Sequence, residues 1–109
     1  MGITKTEFFT EAQNELALIA KVLGHPARIA ILQHLLKVNT CICGDLVEEI
    51  GLAQPTISQH LKELKSIGLI KGSIEGTSVC YCINGDRWHQ IQQLLEELFK
   101  SYQAPASCC

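Results

Sequence analysis

The stretch from Asp45 to Ile83 constrains this chain more than any other. Its apolar residues keep a helical period as far as residue 70 and alternate after it. Asp45-Leu46-Val47-Glu48 reads as a capping box, with a side-chain acceptor at the N-cap and Glu three residues later. The short helix it opens turns Leu46, Val47 and Ile50 inward and ends at Gly51. Gln54-Pro55-Thr56 starts another helix, with Pro in the first turn, where its missing N–H costs nothing. Ile57, Leu61 and Leu64 form its inner face, and Gly68 ends it. Leu69–Ile74 and Thr77–Ile83 then flank the turn signal Glu75-Gly76, which predicts a two-stranded hairpin. In its second strand Val79, Tyr81 and Ile83 share one face, and Ser78, Cys80 and Cys82 share the other. Such a hairpin is marginal alone and has to lie against helices.

The flanks supply those helices. Phe8, Ala12, Leu16, Ile19 and Leu23 make one helix face, and Gly24 stops it. His25-Pro26 restarts a helix carrying Ile29, Leu32, Leu35 and Leu36, with Ile31 beside them, that ends near Lys37–Asn39. The last helix opens near Asn84–Asp86 and runs to about Tyr102. Its residues Trp88, Ile91, Leu95, Leu98 and Tyr102 form a seam close to a heptad, widened by Leu94 and Phe99. The expected fold is mainly α with a small β-hairpin: a winged helix-turn-helix of about five helices plus a two-stranded wing. Residues 1–102 form the domain, and residues 103–109 are a flexible, cysteine-containing tail.

Composition narrows the classes. A chain of 109 residues is one domain's worth, and a 47% hydrophobic content with 18% charged residues excludes a disordered polymer. Apolar runs such as Leu16–Ala20 fall far short of the ~20 residues a membrane span needs, and residues 1–20 lack the pattern of a signal peptide. A cytoplasmic protein without a membrane partner is expected. No Cys/His/Asp triad or phosphate loop appears, so an enzyme is not expected. Net charge is −2, yet residues 52–72 hold Lys62, Lys65 and Lys71 against Glu63 alone. A weakly basic patch on an acidic body fits a DNA-binding face.

Opposite Ile57, Leu61 and Leu64 lie Thr56, Gln59, Lys62 and Ser66, with Ser58 at the flank. Gln, Ser and Thr both donate and accept, as base edges in a major groove require, and Lys62 and Lys65 suit phosphates. An ordinary solvated face brings Glu/Lys pairs, whereas the run from Gln54 to His60 contains no acid. Gln54, Thr56, Ser58, Gln59, His60, Lys62 and Lys65 are the expected contacts to double-stranded DNA.

Six cysteines fall in three close pairs, Cys41/Cys43, Cys80/Cys82 and Cys108/Cys109. In a reducing compartment such pairs bind metal or act in redox chemistry more often than they form structural disulfides. Placed just before a helix N-cap at Asp45, the sulfurs of Cys41 and Cys43 can converge, and the helix N-terminus favours thiolate. Soft thiolates select soft ions: three sulfurs suit trivalent arsenic or antimony, and four suit zinc or cadmium. Cys41 and Cys43 need another sulfur, which Cys108 or Cys109 on the tail could supply. Cys80 and Cys82 either form a second site, extend the first, or pack under the wing.

Gly51-Leu-Ala-Gln-Pro-Thr-Ile-Ser-Gln-His-Leu-Lys-Glu-Leu-Lys-Ser-Ile-Gly-Leu-Ile70 closely resembles the recognition segment of the ArsR/SmtB family of metal-sensing winged-helix repressors, and Leu23-Gly-His-Pro-Ala-Arg-Ile-Ala-Ile-Leu32 resembles its second-helix opening. The resemblance spans roughly residues 12–100. It implies a homodimer, paired through the first and last helices, that leaves its operator when inducer binds. On this chain that interface falls on Leu16, Trp88, Ile91, Leu95, Leu98 and Tyr102. Thr40-Cys-Ile-Cys-Gly-Asp-Leu46 resembles the family's Cys-x-Cys sensor, although Gly44 intervenes before the acidic-Leu pair and Leu46 replaces a third Cys. The family's last-helix metal site maps onto Asp86-x-Trp88 and Phe99-x-x-Tyr102, where three of four ligands are missing. His25 stands where the family usually has Asp before Pro, and the wing, Ser73 to Ser78, carries Glu75 without the family's frequent Arg.

The expected function is a dimeric repressor that needs no cofactor and is released by an inducing metal(loid), As(III) or Sb(III), with zinc or cadmium as the four-sulfur alternative. The competing readings are a thiol redox-sensing regulator and a winged-helix protein-interaction module with structural zinc.

Overall fold

The computed structural model describes residues 8–43, 47–74 and 79–106. Its elements are α1 (Glu11–Leu23), α2 (Pro26–Val38), β1 (Ile42–Cys43), α3 (Val47–Ile50), α4 (Gln54–Ser66), β2 (Ile70–Ser73), β3 (Cys80–Ile83) and α5 (Gly85–Lys100). The helix order and the wing strands match the expectation. The capping box at Asp45 and the wing tip at 75–78 lie outside the described residues.

Thr10 starts α1. Its Oγ1 accepts from the Gln13 N–H at 3.0 Å, and Gln13 Oε1 accepts from the Thr10 N–H at 3.0 Å. This reciprocal cap satisfies two donors at the helix start. It also corrects the expected stripe: Phe8 precedes the helix, and Phe8 and Ala12 are both exposed. The buried positions of α1 are Ile19 and Val22, with Leu16 and Leu23 half-buried.

Helix α2 begins at Pro26 and ends at Asn39, whose left-handed backbone lets its N–H reach Leu35 O at 2.9 Å. Arg28, Ile31, Leu32 and Leu35 point inward. Their spacings of three, one and three residues form one face. Ile29 and Leu36, expected inside, occupy the next face round and are exposed.

The wing is one strand larger than the expected hairpin. The sheet order is β1-β3-β2, all antiparallel. Ile42 pairs with Tyr81 and Cys43 with Cys80, while Lys71, Gly72 and Ser73 pair with Cys82, Tyr81 and Cys80. Paired residues share a face. Ile70, Tyr81 and Ile83 therefore line the inner side with Ile42, and Tyr81 and Ile70 are fully buried there. Cys43, Cys80, Cys82, Lys71 and Ser73 line the outer side. Gly72 holds φ at 118°, and a Cβ at this position would run into the carbonyl of Cys80. Only glycine lets β2 approach β3 so closely there.

The core joins α1, α2, α4, the sheet and Ile91 of α5. Arg87 fastens its edge. Its Nε donates to Ile67 O at 2.8 Å, and a terminal nitrogen meets Glu15 of α1 at 2.8 Å. Gly68, at φ 82°, makes room: a Cβ there would press on Arg87 Cγ. One side chain thus holds α1, the exit of α4 and α5 in register.

Candidate nucleic-acid interface and cysteine cluster

Helix α4 owes its two faces to its sequence. Ile57, Leu61 and Leu64 are buried, as expected. Thr56, Gln59 and Lys62, each three residues from the last, form an exposed line on the other side. Several of the expected contacts are also engaged within the chain. Gln54 Nε2 donates to Ser58 Oγ at 3.2 Å, and both residues are half-buried. Gln59 Nε2 donates to Glu63 at 3.2 Å on the surface. Lys65 Nζ donates to Gly72 O at 2.7 Å, tying the helix to wing strand β2.

His60 is half-buried, and its Nδ1 accepts from Arg28 Nε at 3.0 Å. Arg28 is 9% exposed and also donates to Val22 O at 3.0 Å. His25 completes the group, its ring centroid 5.5 Å from that of His60. Burial, the Arg28 charge and His25 together lower the His60 pKa. A neutral imidazole therefore holds the guanidinium at the point where α2 crosses α4. Sequence reading missed Arg28, which a helical wheel places on the face of Ile31, Leu32 and Leu35.

The cysteines gather where the sequence left several arrangements open. Cys43 and Cys80 are joined in a disulfide, with their Cα atoms 4.1 Å apart. Cys41 and Cys82 are free, and a hydrogen bond between the two thiols raises the Cys41 pKa, with burial adding to it and the Lys71 charge opposing it. A groove of about 360 Å³ borders this thiol pair and is lined also by Leu35, Asn39 and Thr40. Across the sheet Cys43 thus meets Cys80, while Cys41 and Cys82 border the groove as free thiols. The signal was present: Cys-x-Cys has the two-residue period of a strand in both segments. Cys108 and Cys109 lie outside the described residues. Among the described residues no three metal-ligating side chains converge. At the last-helix position Asp86 sits exposed in the first turn of α5, and the residue two places on is Trp88, an indole that offers no metal-ligating atom.

The α5 seam divides. Ile91 is buried in the chain's core, and Trp88 and Leu95 are half-buried against that core and border an apolar groove with Leu23, Leu32 and Leu69. Leu98 and Tyr102, with Phe99 beside them, stay 54%, 75% and 72% exposed. Leu18 of α1 is also exposed.

A helix-turn-helix with a sheet packed behind its polar second helix defines the winged-helix class of DNA-binding proteins. The profile described as "Bacterial regulatory protein, arsR family" matches residues 25–71. An uncharacterised HTH-type transcriptional regulator of Methanocaldococcus jannaschii is 39% identical over 89 residues, covering 81% of this chain and 99% of the relative. The arsenical resistance operon repressor of Staphylococcus xylosus is 36% identical over 92 residues, covering 84% and 88%. The chain belongs to the ArsR family of transcriptional regulators. Its fold matches the crystal structure of NolR from Sinorhizobium fredii with a TM-score of 0.60 at 23% identity, over 94% of this chain and 99% of that one. Among the described residues no helix is long and apolar enough to cross a membrane.

Proposed function

We propose that this chain is an operator-binding repressor, working as a homodimer, that leaves DNA when trivalent arsenic or antimony binds cysteine thiolates ahead of the helix-turn-helix. The observation that carries the reading is the position of Cys41 and Cys43. They lie on and beside β1, which leads directly into α3 and the recognition helix α4. A pull on β1 is transmitted to α3, and two recognition helices displaced from one DNA turn of separation, ~34 Å, no longer fit an operator. The name of the Staphylococcus xylosus relative supports the arsenical reading. Thr56, Gln59 and Lys62 face the groove. Gln54, Ser58, His60 and Lys65 hold α4 in place and reach DNA only at its edges. The exposed end of α5, Leu98 to Tyr102, meets the partner subunit. The third sulfur comes from β3 or from the tail cysteines Cys108 and Cys109.

The disulfide between Cys43 and Cys80 favours a second reading, a thiol redox regulator. The test is DNA binding by reduced protein on a fragment selected from genomic DNA, with arsenite or peroxide added. Arsenite should release the wild type, and Cys41→Ser/Cys43→Ser should bind DNA yet ignore arsenite. Release by peroxide but not by arsenite would establish the redox reading instead. By linkage, DNA must weaken arsenite binding by the same factor that arsenite weakens DNA binding.

A further inference from the structure

The recognition helix is held to its support by a bond that one proton can undo. His60 Nδ1 accepts from Arg28 Nε at 3.0 Å, and Arg28, buried, is anchored on its other side by Val22 O at 3.0 Å. His60 follows Gln59 directly and stands two residues before Lys62, both on the exposed line of α4. We propose that protonation of His60 parts α4 from α2 and so lowers the chain's discrimination between operator and random DNA, a release signal that uses no cysteine. The proposal rests on the operator-binding reading above and adds a regulation to it.

The groups around His60 leave its proton no partner. From α2 it faces the Arg28 guanidinium and the His25 ring, whose centroid is 5.5 Å from its own. Burial lowers its pKa most, then Arg28 and His25, and among the described residues no carboxylate opposes them. Of the other elements packed on α4, α1 brings the Val22 carbonyl to this joint, where Arg28 takes it, and β2 meets the helix further along, at Lys65. On α4 itself the neighbouring charges are Lys62 and Glu63, and Glu63 accepts from Gln59 Nε2 at 3.2 Å. A proton on His60 therefore sets a second positive charge against a guanidinium that cannot turn to solvent without giving up Val22 O. The strain falls on the contact between the two helices.

Protonated histidines also attract phosphate, which works in the opposite direction on raw affinity. That gain is alike for every sequence, since phosphates carry no sequence information. Base reading is stricter. Gln59 has to meet a base edge at hydrogen-bond distance, so a shifted helix loses that contact while a phosphate contact survives. The ratio of operator to random affinity therefore separates the joint from the added charge. His60 is neutral and the joint closed above the ordinary histidine value of about 6.5, and its lowered pKa puts the opening below that value. By linkage, His60 must take up its proton at lower pH in the operator complex than in the random complex.

The test is fluorescence anisotropy of the full chain on operator and on random DNA, from about pH 7.5 to about pH 5 at constant salt. The operator-to-random ratio of the wild type should fall roughly tenfold or more, the scale of a lost hydrogen bond to a charged group. His60→Asn keeps an acceptor for Arg28 and cannot titrate, so its ratio should stay level, although His25, His34 and His89 titrate in both proteins. His25→Asp should move the fall to higher pH, because a carboxylate there favours the imidazolium. A second measurement needs no variant: in an NMR titration of the free wild type, the Arg28 Nε–H signal should change with the same midpoint as the His60 ring. A preference that is present at about pH 7.5 and holds to about pH 5, an equal fall in His60→Asn, or an Arg28 signal unmoved as His60 titrates would each overturn the proton gate and leave the repressor reading standing. No preference for operator at any pH would overturn both.

Discussion

Arg28 Nε donates to His60 Nδ1 at 3.0 Å, so a buried guanidinium on α2 is held by an imidazole on the recognition helix and not by a carboxylate. The bond needs a lone pair on Nδ1. A protonated imidazole carries hydrogen on both nitrogens and would turn a positive N–H toward a positive N–H.

This makes the α2–α4 joint sensitive to acid. Burial, Arg28 and His25 hold the His60 pKa below its ordinary value, so the unfolded chain binds the proton more readily. The stabilisation is fully present above the ordinary histidine pKa, about 6.5, and is lost as pH falls through the lowered folded value. Urea midpoints should therefore drop between about pH 7.5 and about pH 5. His60→Asn, whose amide oxygen substitutes for Nδ1 without titrating, should show a shallower drop. Equal slopes in the two proteins would place the acid sensitivity elsewhere.

Gln59 and Lys62 stand on the same exposed line but are expected to act differently. Gln59→Ala should cost ~1–3 kcal/mol of discrimination between operator and random DNA if it reads a base edge. Lys62→Ala should weaken both DNAs alike and flatten the salt dependence by about one unit of slope. Titrations by fluorescence anisotropy at several salt concentrations separate the two. An unchanged operator-to-random ratio for Gln59→Ala would remove Gln59 from base reading.

Leu98 and Tyr102 are 54% and 75% exposed, so charging them costs the chain's own core little. Leu98→Glu/Tyr102→Glu should yield folded monomers that bind operator poorly, as sedimentation velocity and circular dichroism would show. A double variant that still sediments as a dimer would move the subunit contact off the end of α5.

Gly72→Ala should destabilise the fold by ~1–3 kcal/mol. Its φ of 118° disfavours any side chain, and the new methyl would press on the Cys80 carbonyl. The measurement is the shift in denaturation midpoint. A change within about 0.5 kcal/mol would mean that β2 can move away from β3 without loss.

Local periodicity and punctuation were enough to determine the recognition helix and its buried face. Pro55 and Gly68 bound that helix, and Ile57, Leu61 and Leu64 repeat at helical spacing, all within the reach of one element. The same holds for β2 and β3 around Glu75-Gly76, and for α5 behind Asn84. The sequence by itself also carried the family's recognition segment. Only the tertiary structure decided the sheet's third strand, because two residues are too few to display a period and their partner lies 37 residues away. It likewise set Cys43 of one Cys-x-Cys segment against Cys80 of the other, since the register between distant strands depends on how α2 and α4 seat the sheet. And it put Arg28 inside. A charge is buried only where a lone pair and a carbonyl wait for it, and His60 and Val22 are brought to Arg28 by helix packing, not by their place in the chain.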